Sequence, residues 1–458
     1  MVRYLLSKYR ETCWHVMGSD SELGWCWRSD KHVVKWAGPS VHWAFPSFLL
    51  LLRIPTPHFR FNQTLTLAHI HWDGDEMALR RRGPPSASAP PLEDENLLGE
   101  ILLRVAPLPS SLLRASLVAK QWERLAAAPA FHRRFVAHHR QPPILGVFGQ
   151  QGRELVFTSL LDAPDRIPRE RFSLRPGDEI DFWGLLGCRH GRVLFISTFR
   201  RALLVFDPVN GDRLCVAIPL YLERYVFGGA VVCAAGDDQG HVHGDCHSSP
   251  FKVVLVGTRE NHPAIAWVYS SETGMWSNLV FTTEPCDGLI DVHFPCTLVD
   301  NVLYWWLYGH DNGILEFDLH TQTLAVTEGP SRVDINSINS RIIRGEDGGV
   351  GVAVFSYLSL KMWKREVSSQ GIHTWLLQKI VVFHKIIDLT HQIKARKEAI
   401  VGYSEDAHAL FIKVSCCSGP HTFIVELESM QSRKINQSFL ENSYHPFADF
   451  FTAGTVRA

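Results

Sequence analysis

The stretch NVLYWWLYGHDNGILEFDLHTQTLAVT (residues 301–327) holds two apolar runs, NVLYWWL (301–307) and ILEFDL (314–319). A turn at His320-Thr321 and a short return run, Leu324 to Thr327, follow. Runs this short, rich in β-branched and aromatic residues and bounded by polar turn formers, read as strands. The same grammar appears upstream as VLFIST (193–198), LLVFD (203–207) and Leu214 to Ile218, where Asn210-Gly211 predicts a two-residue hairpin turn. It recurs as FKVVLVG (251–257), AIAWVYS (264–270), the turn Glu272-Thr273-Gly274 and Trp276. Downstream it returns twice more, as VGVAVFSY (350–357), LKMWKRE (360–366) and TWLLQKI (374–380), then AIVGYS (399–404), ALFIKVS (409–415) and TFIVELE (422–428).

Aligning the polar residue just after the apolar run gives Asp207, Ser270, Asp318, Lys364 and Glu426, spaced 63, 48, 46 and 62 residues apart. Repeats of roughly 40–50 residues, each with several strands and a turn, mark propeller blades. A single sandwich is too small for the chain after Gln141. The expected fold is therefore mainly β, a kelch-like propeller from about residue 143 to 451 with six blades. Five units are visible. The runs ILGVF (144–148) and ELVFT (154–158) should join the C-terminal Phe439–Phe451 to close the ring, because closure removes exposed sheet edges.

Composition fits a large core. The 458 residues are 46% apolar, 20% charged and 11% aromatic, which excludes wholesale disorder and a coiled coil. The longest uncharged apolar stretch, Ala44 to Leu52, is far short of the roughly 20 residues a membrane span needs. Arg3, Lys8, Arg10 and Glu11 break up the first residues, so no secretory leader is expected. These features point to a soluble protein of the cytoplasm and/or nucleus, with no membrane partner. The net charge of −1 hides a basic segment, residues 77–140, with ten Lys/Arg against five Asp/Glu. That asymmetry reads as a basic helical module joined to an acidic β domain, with no nucleic-acid partner expected. The ten cysteines contain no CxxC pair and read as buried thiols of a reducing compartment.

Residues 1–76 differ from the rest. They carry six of the fourteen tryptophans without helical or strand periodicity, and Gly18, Gly24, Gly38, Pro39, Pro46, Pro55 and Pro57 interrupt every apolar run. Met77-Ala78-Leu79-Arg80-Arg81-Arg82, followed by a Pro/Ser/Ala linker, looks like an ordinary protein start. The expected organisation is a poorly structured extension over 1–88, untranslated or disordered up to 76, then a helical module over 89–140 and the β domain over 141–458.

From Leu92 the period becomes helical. Leu97, Leu98, Ile101, Leu102 and Val105 form one stripe, with Asp94 as N-cap and Pro107 as stop. A second helix capped by Ser110 or Ser111 carries Ala115, Val118, Trp122 and Leu125 until Pro129, and a third carries Phe131 and Phe135. Three short helices bury little surface, so such a module needs a partner. Residues 92–135, LEDENLLGEILLRVAPLPSSLLRASLVAKQWERLAAAPAFHRRF, resemble an F-box, and the chain beyond resembles the F-box-associated propellers common in plant, particularly grass, families. Glu93 stands where that pattern has proline after the first leucine, and Ala119 where it often has cysteine before Lys120.

The resemblance implies adaptor-binding positions Leu92, Leu97, Leu98, Ile101, Leu102, Pro107, Leu117, Val118, Lys120 and Trp122. It implies a Skp-type adaptor as partner and, through it, a cullin-based ubiquitin ligase, with the propeller holding an unknown protein substrate. Helix-in-groove packing is the physical mode. On this reading the protein is the substrate-recognition subunit of an SCF-type ligase and not an enzyme. The alternatives are a metal-dependent enzyme on a kelch-like propeller and a propeller scaffold that no longer binds the adaptor.

The loop GHVHGDCHSSP holds His241, His243, Asp245, Cys246 and His247 at spacings that reach one ion. With no second pair elsewhere to complete a tetrahedron, it is read as a polar interblade loop; no metal site and no cofactor are expected. No Gly-x-Ser-x-Gly elbow and no phosphate-binding loop occur, so no catalytic residue is assigned. Trp183, Trp267, Trp276, Trp305, Trp306, Trp363 and Trp375 should pack within blades. Tyr221, Tyr225, Tyr308 and His310 fall in candidate loops and are the expected substrate contacts.

Overall fold

A computed structural model describes residues 15–17, 24–29 and 32–35. From Asp94 to Thr452 it describes all but 152–153, 173, 175–182, 220–223, 236–240, 310–312, 331–337, 368–372, 383–397, 417–418 and 436–442. The chain divides into two compact units, Met1–Gly83 and Pro84–Ala458. In the first, the strands His15–Met17, Gly24–Ser29 and His32–Lys35 pair antiparallel in that order. Most of residues 1–76 lie outside the described residues.

The second unit begins with four helices: α1 (Glu95–Leu103), α2 (Ser111–Ser116), α3 (Lys120–Ala127) and α4 (Pro129–His139). Asp94 caps α1 as expected; its Oδ1 accepts from the backbone N–H of Asn96 at 2.8 Å and of Leu97 at 3.3 Å. The three-helix expectation fails at the second helix. The segment from Ser111 breaks in two because Ala119 adopts an extended backbone (φ −158°, ψ 156°), which ends one helix and starts the next. Ser110 holds the N-cap position of α2, as one of the two expected residues, but its side chain makes no capping bond. The inner faces close around Leu98, Leu102, Leu103, Leu112, Phe131, Phe135 and Val136.

The rest is a six-bladed β-propeller. Blade 1 pairs His445–Ala448 with Ile144–Gln151 and then Glu154–Ser159. Blade 2 runs Gly184–Arg189, Arg192–Ser197, Ala202–Phe206 and Arg213–Ala217. Blade 3 runs Val226–Cys233, Phe251–Thr258, His262–Ser270 and Met275–Trp276, with Val280–Cys286 also paired to its third strand. Blade 4 holds Gly288–Ile290, Thr297–Val299, Val302–Gly309, Gly313–Asp318 and Thr323–Glu328. Blade 5 holds Ser340–Arg344, Val350–Ser356, Ser359–Val367 and His373–Val382. Blade 6 holds Glu398–Ser404, Ala409–Cys416, Gly419–Glu426 and Ser432–Ile435.

The first strands of neighbouring blades touch around the axis. The C-terminal strand supplies the innermost strand of blade 1, so the two ends of the propeller are pinned together as the edge argument requires. The innermost strands of blades 2 to 5 escaped the repeat pattern because they are short or carry small residues where blades crowd, whereas that of blade 6, Glu398–Ser404, was read as AIVGYS. In VFGGAVVC a Cβ on Gly228 would lie 3.0 Å from Ile290 Cγ2, and one on Gly229 would lie 3.0 Å from Leu186 Cδ1.

The aligned polar residues have a structural meaning. Asp207 and Asp318 open the outer hairpins of their blades. Asp318 Oδ1 accepts from the N–H groups of His320 and Thr321, and Asp207 Oδ1 from those of Val209 and Asn210. Residues 207–212 thus form an Asp-anchored loop ending at Gly211 (φ 83°), longer than the two-residue turn expected of Asn210-Gly211. Lys364 does not belong in the alignment, because it lies inside the strand Ser359–Val367.

The tryptophans pack as blade residues. Trp183, Trp267, Trp305 and Trp306 are buried, while Trp276 and Trp375 each donate to the outer strand of the preceding blade. Their indole N–H groups reach Ala217 O at 3.0 Å and Glu328 O at 2.9 Å. Among the described residues, no helix is long and apolar enough to cross a membrane.

Candidate functional site

Two regions are candidates for function: the outer face of the helical module, and the loop of blade 3 beneath it. Phe450 and Val242 of the propeller pack into the module's core. The Ser110 N–H donates to Asp165 Oδ1 at 2.8 Å, and His132 Nε2 lies 3.2 Å from Asp245 Oδ2. The module therefore sits on the propeller through apolar and polar contacts together.

The helices sort the expected adaptor positions into two groups. Leu98 and Leu102 are fully buried and face the module's own core. Leu97 (43% exposed), Ile101 (40%), Leu117 (79%) and Val118 (64%) point to solvent, joined by Leu113 (38%). Lys120 is exposed, while Pro107 and Trp122 are half-buried. Leu117 and Val118 stand at the break before α3, where a continuous helix would have turned Val118 inward with Ala115 and Trp122. Leu92 lies outside the described residues.

Of the expected substrate contacts, Tyr221 and His310 also lie outside the described residues. Tyr225 is half-buried, packs against the core between blades 2 and 3 and donates to Pro263 O at 3.4 Å. Tyr308 is a strand residue whose hydroxyl donates to Asp291 Oδ2 at 3.4 Å. Neither is a free loop side chain. The ring's axis is filled as well. Arg189 makes a two-pronged contact with Glu405, Nε to Oε2 at 2.7 Å and Nη2 to Oε1 at 2.6 Å. The cavity beside it, lined in part by Cys188, Pro295, Asp406 and His445, measures about 30 Å³. That is room for about one water.

The blade 3 loop brings together side chains that the sequence separated. Cys233, at the end of the strand Val226–Cys233, meets His241, His243 and Cys246, and one donor atom from each lies within 4.8 Å of all the others. His241 Nε2 is 3.3 Å from Cys233 Sγ and 3.3 Å from Cys246 Sγ, and His243 Nδ1 is 3.5 Å from Cys246 Sγ. Cys233 was missed because it lies eight residues upstream, beyond the loop; a cysteine closing the strand before a His-x-His was the available signal. Asp245 and His247, which the sequence placed in the cluster, turn away from it. Asp245 faces His132, and His247 bridges Asp207 at 2.7 Å and Asp449 at 3.1 Å. Burial opposes charge on His247, but the hydrogen bonds of these two carboxylates outweigh it and hold its pKa at about 10.

The two thiols are unlike. A hydrogen bond from Cys246 holds Cys233 far below the usual thiol range, at about 3, and the same bond together with burial pushes Cys246 up. His190 braces the group: its ring stacks on His243 at 3.7 Å between centroids, and its Nδ1 accepts the Cys233 N–H at 3.0 Å. From blade 2, buried Arg192 donates through Nη2 to the carbonyls of Cys246, His247 and Ser249 at 2.7, 3.1 and 2.8 Å. At the loop's bend Gly244 has φ 108°, and a Cβ there would lie 2.8 Å from Pro142 Cβ and 2.9 Å from Phe450 Cδ2. The loop is a built element between propeller and helices.

A helical module seated on a six-bladed propeller is thus the class of protein this chain represents. Residues 184–448 match the model of the F-box protein AT5G49610-like β-propeller family, and the chain belongs to that family. No curated protein sequence matches it. Among solved structures, it is similar to a luciferin-regenerating enzyme at 7% identity and TM-score 0.31, covering 55% of this chain and 75% of that one. The calcium-binding protein regucalcin of Agrobacterium tumefaciens strain C58 matches at 11% identity and TM-score 0.28, covering 55% and 72%. A chain of a nidogen/laminin complex matches at 9% identity and TM-score 0.33, covering 64% and 92%.

Proposed function

We propose that the protein is the substrate-receptor subunit of a plant SCF-type ubiquitin ligase, acting in the cytoplasm and/or nucleus. The helices dock on a Skp-type adaptor and through it on a cullin, while the propeller holds a protein substrate. The observation that carries this reading is the set of exposed apolar side chains Leu97, Ile101, Leu113, Leu117 and Val118 on the helices that precede an F-box-family propeller. Five large apolar side chains left exposed on so small a module mark a surface meant to be covered. The role needs no chemistry from this chain: holding the substrate beside the charged conjugating enzyme raises its effective concentration.

Co-purification with a Skp-type adaptor tests the proposal. The wild type is expected to retain the adaptor, and Leu117→Asp/Val118→Asp to lose it while keeping the circular dichroism of the folded propeller. Absence of binding by the wild type, or undiminished binding by the double variant, would overturn it.

A further inference from the structure

We propose that Cys233, His241, His243 and Cys246 bind one zinc ion, in a closed structural site that fastens the blade 3 loop beneath the helical module. Three of the distances between the donor atoms match the edges of a zinc tetrahedron. Zinc bonds of about 2.3 Å to sulfur and about 2.0–2.1 Å to nitrogen set a sulfur–nitrogen edge of roughly 3.5 Å. Three of the four sulfur–nitrogen distances are 3.3, 3.3 and 3.5 Å, and the fourth, His243 to Cys233, is within 4.8 Å. Hydrogen bonding explains them less well. His241 Nε2 faces both sulfurs at the same distance, and a single proton on that nitrogen serves only one of them.

The donor set selects the ion. Two thiolates and two imidazoles are soft and borderline ligands, suited to zinc and unsuited to calcium or magnesium. Two thiolates also cancel the charge of a divalent cation, so the loaded cluster adds no net charge to a site where Cys246 is fully buried. Four protein ligands leave no open position, which is the mark of a structural rather than a catalytic zinc. Outer-shell support is in place, with His190 against His243 and under the Cys233 N–H, and Arg192 on the Cys246 carbonyl. An open cavity of about 470 Å³, lined by Ala137, Arg140, Pro142, His241, His243 and Asp406, gives the ion a way in.

Bound there, the ion would join the end of the strand Val226–Cys233 to the loop that carries Val242 and Asp245, both of which touch the helices. The site stands independently of adaptor binding.

Elemental analysis of the full chain, purified without chelators, should find about one zinc per chain. Cys233→Ser/Cys246→Ser should retain less than a tenth of it, and Asp245→Asn all of it. Metal-free wild type titrated with cobalt(II) should develop visible d–d bands and near-ultraviolet thiolate charge transfer, saturating at one equivalent. That reading does not depend on how well the variants fold. Wild type with neither zinc nor cobalt bands, full metal content in the double cysteine variant, or a Cys233–Cys246 disulfide found by peptide mapping of alkylated protein would each overturn the proposal.

Discussion

His445 lies opposite Phe148 in the pairing that joins the last strand of the propeller to the first, and its side chain is buried inside that seam. Its Nε2 is 3.5 Å from Ser443 Oγ, while Nδ1 has no hydrogen-bond partner among the described residues. Burial, with the charge of Arg341 nearby, pushes its pKa down to about 3. The ring closes around a neutral imidazole.

This makes the seam sensitive to acid. A histidine held below its unfolded value near 6.5 favours the folded state fully above pH 6.5. Below that the unfolded chain takes up the proton while the folded one refuses it until about pH 3, so stability falls across that window. Each unit of pH costs up to about 1.4 kcal/mol from this group. Asp406 and Asp449, both raised to about 6 by burial, act in the opposite sense between pH 4 and 6. The comparison with His445→Gln removes their contribution. Urea unfolding at pH 7 and pH 5 should show wild type losing about 2 kcal/mol more than the variant; equal losses would contradict the assignment.

Two residues along, Phe447 sits among Phe148, Phe157 and Phe172, with ring centroids at 5.3, 6.4 and 5.5 Å. Each of these rings is essentially without solvent contact. Phe447→Ala should therefore cost about 3–5 kcal/mol, part transfer and part cavity. Tyr357→Ser, at a side chain 87% exposed, should change stability by less than about 0.5 kcal/mol. Chemical denaturation of the two variants measures the contrast.

The outer tryptophans offer a gentler probe of blade-to-blade attachment. Trp375→Phe keeps most of the apolar contact and removes the N–H that reaches Glu328 O on the blade before it. The expected loss is about 1 kcal/mol, the net worth of one hydrogen bond. Trp276→Phe, which loses the bond to Ala217 O, should behave alike. Hydrogen exchange at the outer strands of blades 2 and 4 should rise before global unfolding does.

What was legible in the sequence follows from physical causes. The middle strands of the blades announce themselves because both faces are covered, which requires unbroken apolar runs such as Val253–Val256 and Leu303–Leu307. Ring closure was legible because a repeat with leftover strands at both ends has one economical way to hide its edges. The inner strands of blades 2 to 5 were not, since residues such as Gly228 and Gly229 answer to crowding at the axis rather than to alternation. The helical stripe named the right apolar positions without separating inward Leu98 from outward Leu97, because neighbouring residues on a helix differ by 100° and only the tertiary contact decides which faces in. The Cys/His cluster was half legible. Its loop was visible, but Cys233 joins it through the return of the chain, and local spacing does not encode that return.

The ion pair at the axis supports a final prediction. Arg189 comes from blade 2 and Glu405 from the turn after the first strand of blade 6, so their contact joins the two blades that flank blade 1. Blade 4 joins them: its Cys296 carbonyl accepts from Arg189 Nη2 at 3.0 Å, and its Leu298 N–H donates to Glu405 Oε1 at 2.7 Å. Arg189 is 8% exposed and its pKa is held well above the ordinary value by the Glu405 carboxylate despite burial, so it stays charged under all usable conditions. Glu405→Ala leaves that charge buried without its counter-ion, which should cost about 3–5 kcal/mol. Arg189→Met/Glu405→Leu removes both charges and fills much of the volume, and should be more stable than Glu405→Ala alone. A double-mutant cycle measured by urea unfolding gives the coupling. A double variant that is less stable than either single variant would mean that the two residues support the ring separately, through Cys296 and Leu298, and not through each other.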